Sequence, residues 1–261
     1  MNSRLLFLAL LLSSFLIPTN TLAEGIEDVD AYLYSPHFNG LSDNLENNYS
    51  LQFNYSEETG EANDLDMDFS LQTTETYQKI RNTFEAEVGF EDNQDNSELD
   101  RDYKIQDSLE FHYNHVHYIF TSLIWEQDKL IGLLKRESLR VGIGSFLLQN
   151  DTTVLRVEVG YDRVAETLRA PGSNQTYGAT LLATKWVWNI NEQSNFTAEV
   201  DFLHNLDKRY DRRTDFTAEI DTSISELISI TFTYEVNHDS NPIQFIDSTQ
   251  RSFTAGLEVN I

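Results

Sequence analysis

From residue 48 onward, apolar and polar side chains alternate with period two in about twelve separate segments. A strict period of two places successive side chains on opposite faces, which a strand does and a helix cannot. Leu51, Phe53 and Tyr55 share a face of the first segment. Leu65, Met67, Phe69 and Leu71 then oppose Asp66, Asp68, Ser70 and Gln72. Phe84, Ala86, Val88 and Phe90 oppose Glu85 and Glu87; Leu109 and Phe111 oppose Glu110 and His112. Arg140, Arg156, Glu158, Glu199, Asp201, Glu219, Glu235 and Glu258 hold the same polar position in later segments. The stretches 118–126 and 176–189 alternate less cleanly. Each segment is close to the roughly 9–11 residues that a tilted membrane strand requires.

Alternation alone fits either a soluble sandwich with a buried apolar face or a membrane barrel with that face in lipid. The connections separate the two. Polar linkers at 57–63, 92–102, 128–134, 165–175, 206–212 and 239–245 alternate with short turns near 76–79, 114–117, 149–152, 189–192 and 223–226. One long rim and one short rim is the pattern of an up-and-down outer-membrane barrel with an even strand number, both termini on the short-turn side. Tyr55, Phe90, Tyr103, Trp125, Tyr161, Tyr177 and Tyr234 near the long linkers, and Tyr49, Tyr77, Tyr113 and Trp188 near the short turns, suit two aromatic girdles.

The first residues, "MNSRLLFLALLLSSFLIPTNTLA", carry Arg4, an apolar run and a small-residue site at Ala23. They predict a signal peptide over 1–23 and export. After Ala23 no apolar run is long enough for a helical span. Residues 24–47 read as a periplasmic leader or lumen segment, and 48–261 as one barrel in the outer membrane of a Gram-negative cell. With 43 acidic against 18 basic residues the formal charge is −25, which speaks against nucleic-acid binding and against non-specific adhesion to anionic surfaces. There is no cysteine, so no disulfide can hold the fold.

The closing segment, "SFTAGLEVNI", reads as the last strand of the barrel, with Phe253, Leu257, Val259 and Ile261 on the apolar face offered to the insertion machinery. "NYSLQFNYSEETGEANDLDMDFSL" resembles the opening of the DUF481 family, the YdiY-like salt-induced outer-membrane proteins. "YEVNHDSNPIQFIDSTQRSFTAGLEVNI" resembles that family's closing hairpin. The similarity covers about residues 48–261. It implies an outer-membrane barrel and a link to salt or osmotic conditions, and it supplies no catalytic residues.

The charged face, Asp66, Asp68, Glu85, Glu87, Glu110, Arg140, Arg156, Glu158, Glu199, Asp201, Glu219, Glu235 and Glu258, is expected to line the lumen. Carboxylates prevail there, which favours small cations. Twelve strands lie between barrels filled by side chains and those that hold water, so pairing across the lumen would leave a narrow bore or none. A closed structural barrel is the alternative. No cofactor or metal is expected.

A lipid hydrolase would need a serine beside an oriented histidine. Only His238 has a serine two residues on, Ser240, and the loop explanation is favoured over chemistry. The cluster His112–Tyr118 holds three histidines, but His115 and His117 fall in a short turn and read as solvated turn residues rather than metal ligands. Lys129, Lys135, Arg136, Lys208, Arg209, Arg212 and Arg213 read as loop charge, at a height where lipopolysaccharide phosphates lie. Asp107 falls on the apolar face, so a rim position or a bulge is expected.

Overall fold

Two environments, one for each face, are what an alternating strand needs, and a closed barrel supplies both. The computed structural model describes residues 46–58, 64–93, 100–129, 132–169, 174–225, 228–242 and 247–260. They form β1 (Glu46–Glu58), β2 (Asp64–Tyr77), β3 (Ile80–Asn93), β4 (Asp100–His112), β5 (His117–Asp128) and β6 (Leu133–Gln149). β7 (Thr153–Leu168), β8 (Asn174–Asn191), β9 (Ser194–Asn205), β10 (Arg212–Ser223), β11 (Ile228–Asp239) and β12 (Thr249–Asn260) complete the sheet. Every strand pairs antiparallel with its neighbours in sequence, and β1 pairs with β12 to close the barrel. The signal peptide expected over 1–23 and residues 24–45 of the expected leader lie outside the described residues, and the barrel begins at Glu46 rather than residue 48.

Register matches like with like. Leu51 faces Leu71, Phe53 faces Phe69, Val141 faces Tyr161 and Phe232 faces Ala255. These side chains point outward: Ile143 is 63 % exposed and Phe253 67 %. A soluble sheet would bury such a face; here a continuous apolar belt surrounds the barrel, as lipid requires.

The short turns are shaped by asparagine side chains that accept backbone N–H groups, the Asx device. Asn114 Oδ1 accepts from Val116 and His117 at 2.8 and 2.7 Å. Asn150 Oδ1 accepts from Thr152 and Thr153 at 3.0 and 2.9 Å, and Asn191 Oδ1 from Gln193 at 2.8 Å. On the opposite rim the connections run over 59–63, 94–99, 129–132, 169–173, 206–211 and 240–248. The 129–132 connection is no longer than the 113–116 turn, because β6 extends upward to Leu133. That extension places Lys135 and Arg136 on a strand, and β10 likewise takes in Arg212 and Arg213, which corrects their assignment to loops.

Asp107 is another correction. Ladders on both sides of β4 run without a shift through Asp107, which pairs with Phe84 and Leu123, so neither a bulge nor a rim relieves it. The bulges lie elsewhere, at 126/128, 133/135, 146/148 and 189/191. Tyr177 is also displaced from expectation. It points inward, is buried, and its hydroxyl reaches Glu166 at 3.3 Å, so it is no girdle residue.

Candidate functional site

The polar face of each strand points into the barrel, so the interior is where most of the charged residues meet one another. Two sectors of that interior differ. Along β4–β8 it is packed, whereas along β10–β12 and β1–β3 many inward side chains remain half-exposed.

In the packed sector an aromatic layer fills the half nearest the short turns. Tyr118, fully buried, lies with Phe120, Phe146, Val154, Leu181 and Ala183 in one cluster. Inward glycines on β6 and β7 make this possible. A Cβ on Gly142 would come within 2.6 Å of the Phe120 ring, and one on Gly144 would collide with the Tyr118 ring. Tyr118 donates its hydroxyl proton to Glu158 Oε1 at 2.6 Å.

A charged network adjoins this layer. Arg156 Nη1 lies 3.5 Å from Glu110 Oε1 and 3.9 Å from Glu158. Since β4 and β7 are not neighbours, the Arg156–Glu110 pair crosses the interior. Arg81 Nη1 is 3.6 Å from Glu110, and His112 Nε2 is 2.8 Å from the same carboxylate. His112 ends β4 on the inward face that the alternation gives it, where it is buried and stacks on Tyr118 at 4.8 Å. His115 is exposed in the turn, while His117 Nδ1 meets Ser145 Oγ at 2.7 Å.

Toward the long-connection rim the interior widens into a cavity of about 500 Å³. Glu87, Asp102, Glu126, Asp162, Glu199, Asp201, Asp215 and Glu235 line it together with Lys104, Arg136, Arg140 and Arg213. Arg140 spans from Asp162 (3.4 Å) to Asp201 on β9 (3.5 Å). Arg213 on β10 reaches Glu166 on β7 at 3.0 Å and Asp239 at 3.5 Å. Arg136 pairs with Glu126 and, at 3.1 Å, with Glu166. Lys104 lies 3.9 Å from Glu87, and Lys185 lies 2.5 Å from Glu199.

Among the described residues, every basic side chain on an inward strand position therefore has a carboxylate beside it. The reverse does not hold. Glu85 accepts from Gln72 Nε2 at 2.7 Å, and Glu235 accepts from Ser252 Oγ at 3.1 Å, both neutral donors. Glu87 feels the charges of Glu85, Glu235 and Asp102 as well as that of Lys104. The half-exposed wall thus carries net negative charge.

Of the residues singled out by pattern, Asp68, Glu85, Glu87, Glu110, Arg140, Arg156, Glu158, Glu199, Asp201, Glu219 and Glu235 share the inward face. The side chains of Asp66, Glu258 and Val259 lie outside the described set, though Asp66 pairs with Glu91 and Val259 with Leu51 in the backbone ladder. Ile261 is outside the described residues. Phe253 and Leu257 face outward. Asp162 shares the polar face of its segment with Arg156 and Glu158 and is buried against Arg140. Pattern reading passed over Arg81 and Glu166, and extending the alternation of each strand to its ends would have found both.

His238 and Ser240 take separate partners. His238 Nδ1 meets Thr249 Oγ1 at 2.9 Å. Ser240 Oγ donates to the Tyr210 carbonyl at 2.6 Å and accepts from Arg212 N–H at 2.7 Å, which pins two loops together. No group of metal-ligating residues occurs among the described residues.

Residues 51–261 match the family described as "Protein of unknown function, DUF481". No curated protein matches the chain. The NanC porin is similar in structure at 11 % identity, with a TM-score of 0.54 over 82 % of this chain and 100 % of the porin. The COG4313 outer membrane channel from Pseudomonas putida F1 gives 8 % identity and 0.48, over 94 % and 98 % of the two chains. The KdgM porin in complex with disordered oligogalacturonate gives 10 % and 0.47, over 81 % and 99 %. The likeness to NanC is one of fold.

Proposed function

The chain belongs to the DUF481 family and folds as an outer-membrane barrel, and from that premise we propose that it is a narrow, cation-preferring channel. The single observation that carries this is the charge arrangement of the interior. Each inward cation is neutralised by a neighbouring carboxylate, while Glu85 and Glu235 on the half-exposed wall have only neutral donors. A passage along that wall lowers the energy of a cation and raises that of an anion, most where low-dielectric walls focus the field. Arg156–Glu110, Arg140–Asp201 and Arg213–Glu166 draw the other sector together and keep the bore small. Potassium and sodium are the cations such a path suits, which fits a role under changing salt or osmotic conditions.

Tyr118, Phe120 and Phe146 favour a second reading, in which their cluster closes the barrel and leaves a structural or interaction role. Vesicles containing the purified protein and an encapsulated potassium- or chloride-sensitive dye separate the two. Faster potassium than chloride entry, with the difference reduced in Glu85→Gln/Glu235→Gln, supports the channel. Entry of neither ion leaves the closed barrel, and faster chloride entry contradicts the assignment of charge.

A further inference from the structure

The outward face at the long-connection rim inverts the charge balance of the chain. The protein as a whole is at −25. Yet the outward positions nearest that rim are His204 on β9, Arg212 and Thr214 on β10, His238 on β11, and Thr249 and Arg251 on β12. No carboxylate shares this face of β9–β12 among the described residues. Of the nearest acids, Asp239 pairs inward with Arg213, Asp211 is buried against Asn205, and Asp247, exposed two residues before Thr249, lines the interior cavity.

These cations also differ from those inside the barrel. The interior arginines are held by carboxylates, whereas Arg212 and Arg251 are exposed and make no ion pair with a described residue. His204 sits directly opposite Arg212, and its Nδ1 is buried without a hydrogen-bond partner. Strand spacings put the Cα atoms of Arg212 and Arg251 roughly 16 Å apart, two strands across and four residues along, within converging reach of two long side chains. Val200, Phe216 and Val236 share the ladder row of Arg251, and Phe232, Tyr234 and Phe253 follow further along the strands, all facing lipid.

We propose that this patch binds the phosphorylated head group of an outer-leaflet glycolipid of the lipopolysaccharide type, with its acyl chains on the apolar wall beneath. Guanidinium groups suit phosphate because they donate paired hydrogen bonds in a fixed plane. Cations at this height with apolar surface under them match an anionic amphiphile and no soluble anion. The proposal is independent of whether the lumen conducts.

The test uses the full-length mature protein in neutral detergent, with native mass spectrometry reading bound lipid. The probes are diphosphoryl lipid A, the same lipid stripped of phosphate, and inorganic phosphate. The wild type is expected to retain diphosphoryl lipid A, and Arg212→Gln/Arg251→Gln to weaken it at least about tenfold. Arg212→Lys/Arg251→Lys keeps the charge but loses the paired donors and is expected to bind more weakly than the wild type and more tightly than the glutamine variant, which keeps the test decisive if the glutamine variant folds poorly. Lys135→Gln, on another wall where Lys135 already pairs with Glu137 at 2.7 Å, is expected to change nothing. Equal retention of the dephosphorylated lipid, unchanged binding by the glutamine variant, or displacement by inorganic phosphate would each overturn the proposal.

Discussion

Asp107 sits among apolar neighbours on the lipid-facing side of β4, 9 % exposed, with its two carboxyl oxygens treated differently. Asn82 Nδ2 donates to Oδ1 at 2.7 Å, and Oδ2 is buried without a partner. Asn82 also donates to the Ser108 carbonyl at 3.1 Å, so it serves as a local solvent for the carboxyl group. Removing a partner from a buried polar group costs about 1–3 kcal/mol, whereas removing the polar group itself can be neutral or favourable. Asn82→Leu is therefore expected to lower barrel stability by about that amount, and Asp107→Leu to leave it unchanged or raise it. Urea unfolding in lipid vesicles, followed by tryptophan fluorescence, checks both. Equal destabilisation by the two variants would mean that the pair, and not the burden of Asp107, is what matters.

At the scale of elements, β5 and β6 are fitted to each other. Tyr118 and Phe120 can lie flat only because Gly142 and Gly144 leave the facing wall bare. Gly144→Val is expected to push Tyr118 off that wall, break its hydrogen bond to Glu158 and cost about 1–3 kcal/mol by overpacking. A stability equal to wild type in the same unfolding assay would show that the aromatic layer is loosely held. The same packing explains what the sequence conveyed and what it hid. Strands with one charged and one apolar face, such as β2, β3 and β10, were legible because lumen and lipid demand opposite side chains. β5 and β8 were blurred because Tyr118, Phe120, Ile124, Leu181, Ala183 and Val187 make their inward faces apolar as well. Arg136 and Arg213 were mistaken for loop residues because these strands continue beyond the apolar belt. There both faces can be polar, and alternation no longer marks a strand. The cross-lumen pairs depend on which distant strands face each other, information that no local pattern carries.

For the whole molecule, closure of β1 on β12 turns a set of two-faced strands into one interior with a net negative wall. Arg156 holds the narrow half together by reaching Glu110 across the lumen while resting beside Glu158. Arg156→Gln is expected to widen the bore and add negative charge to it, so single-channel conductance and cation preference should rise together. A rise in conductance with loss of preference would place the selective carboxylates elsewhere. The most direct measurement of the central claim is the reversal potential of the purified wild-type protein in planar bilayers under a KCl gradient. A small conductance reversing toward the potassium equilibrium potential is the expected result. A large conductance reversing toward that of chloride would contradict both the narrow bore and the acidic lining.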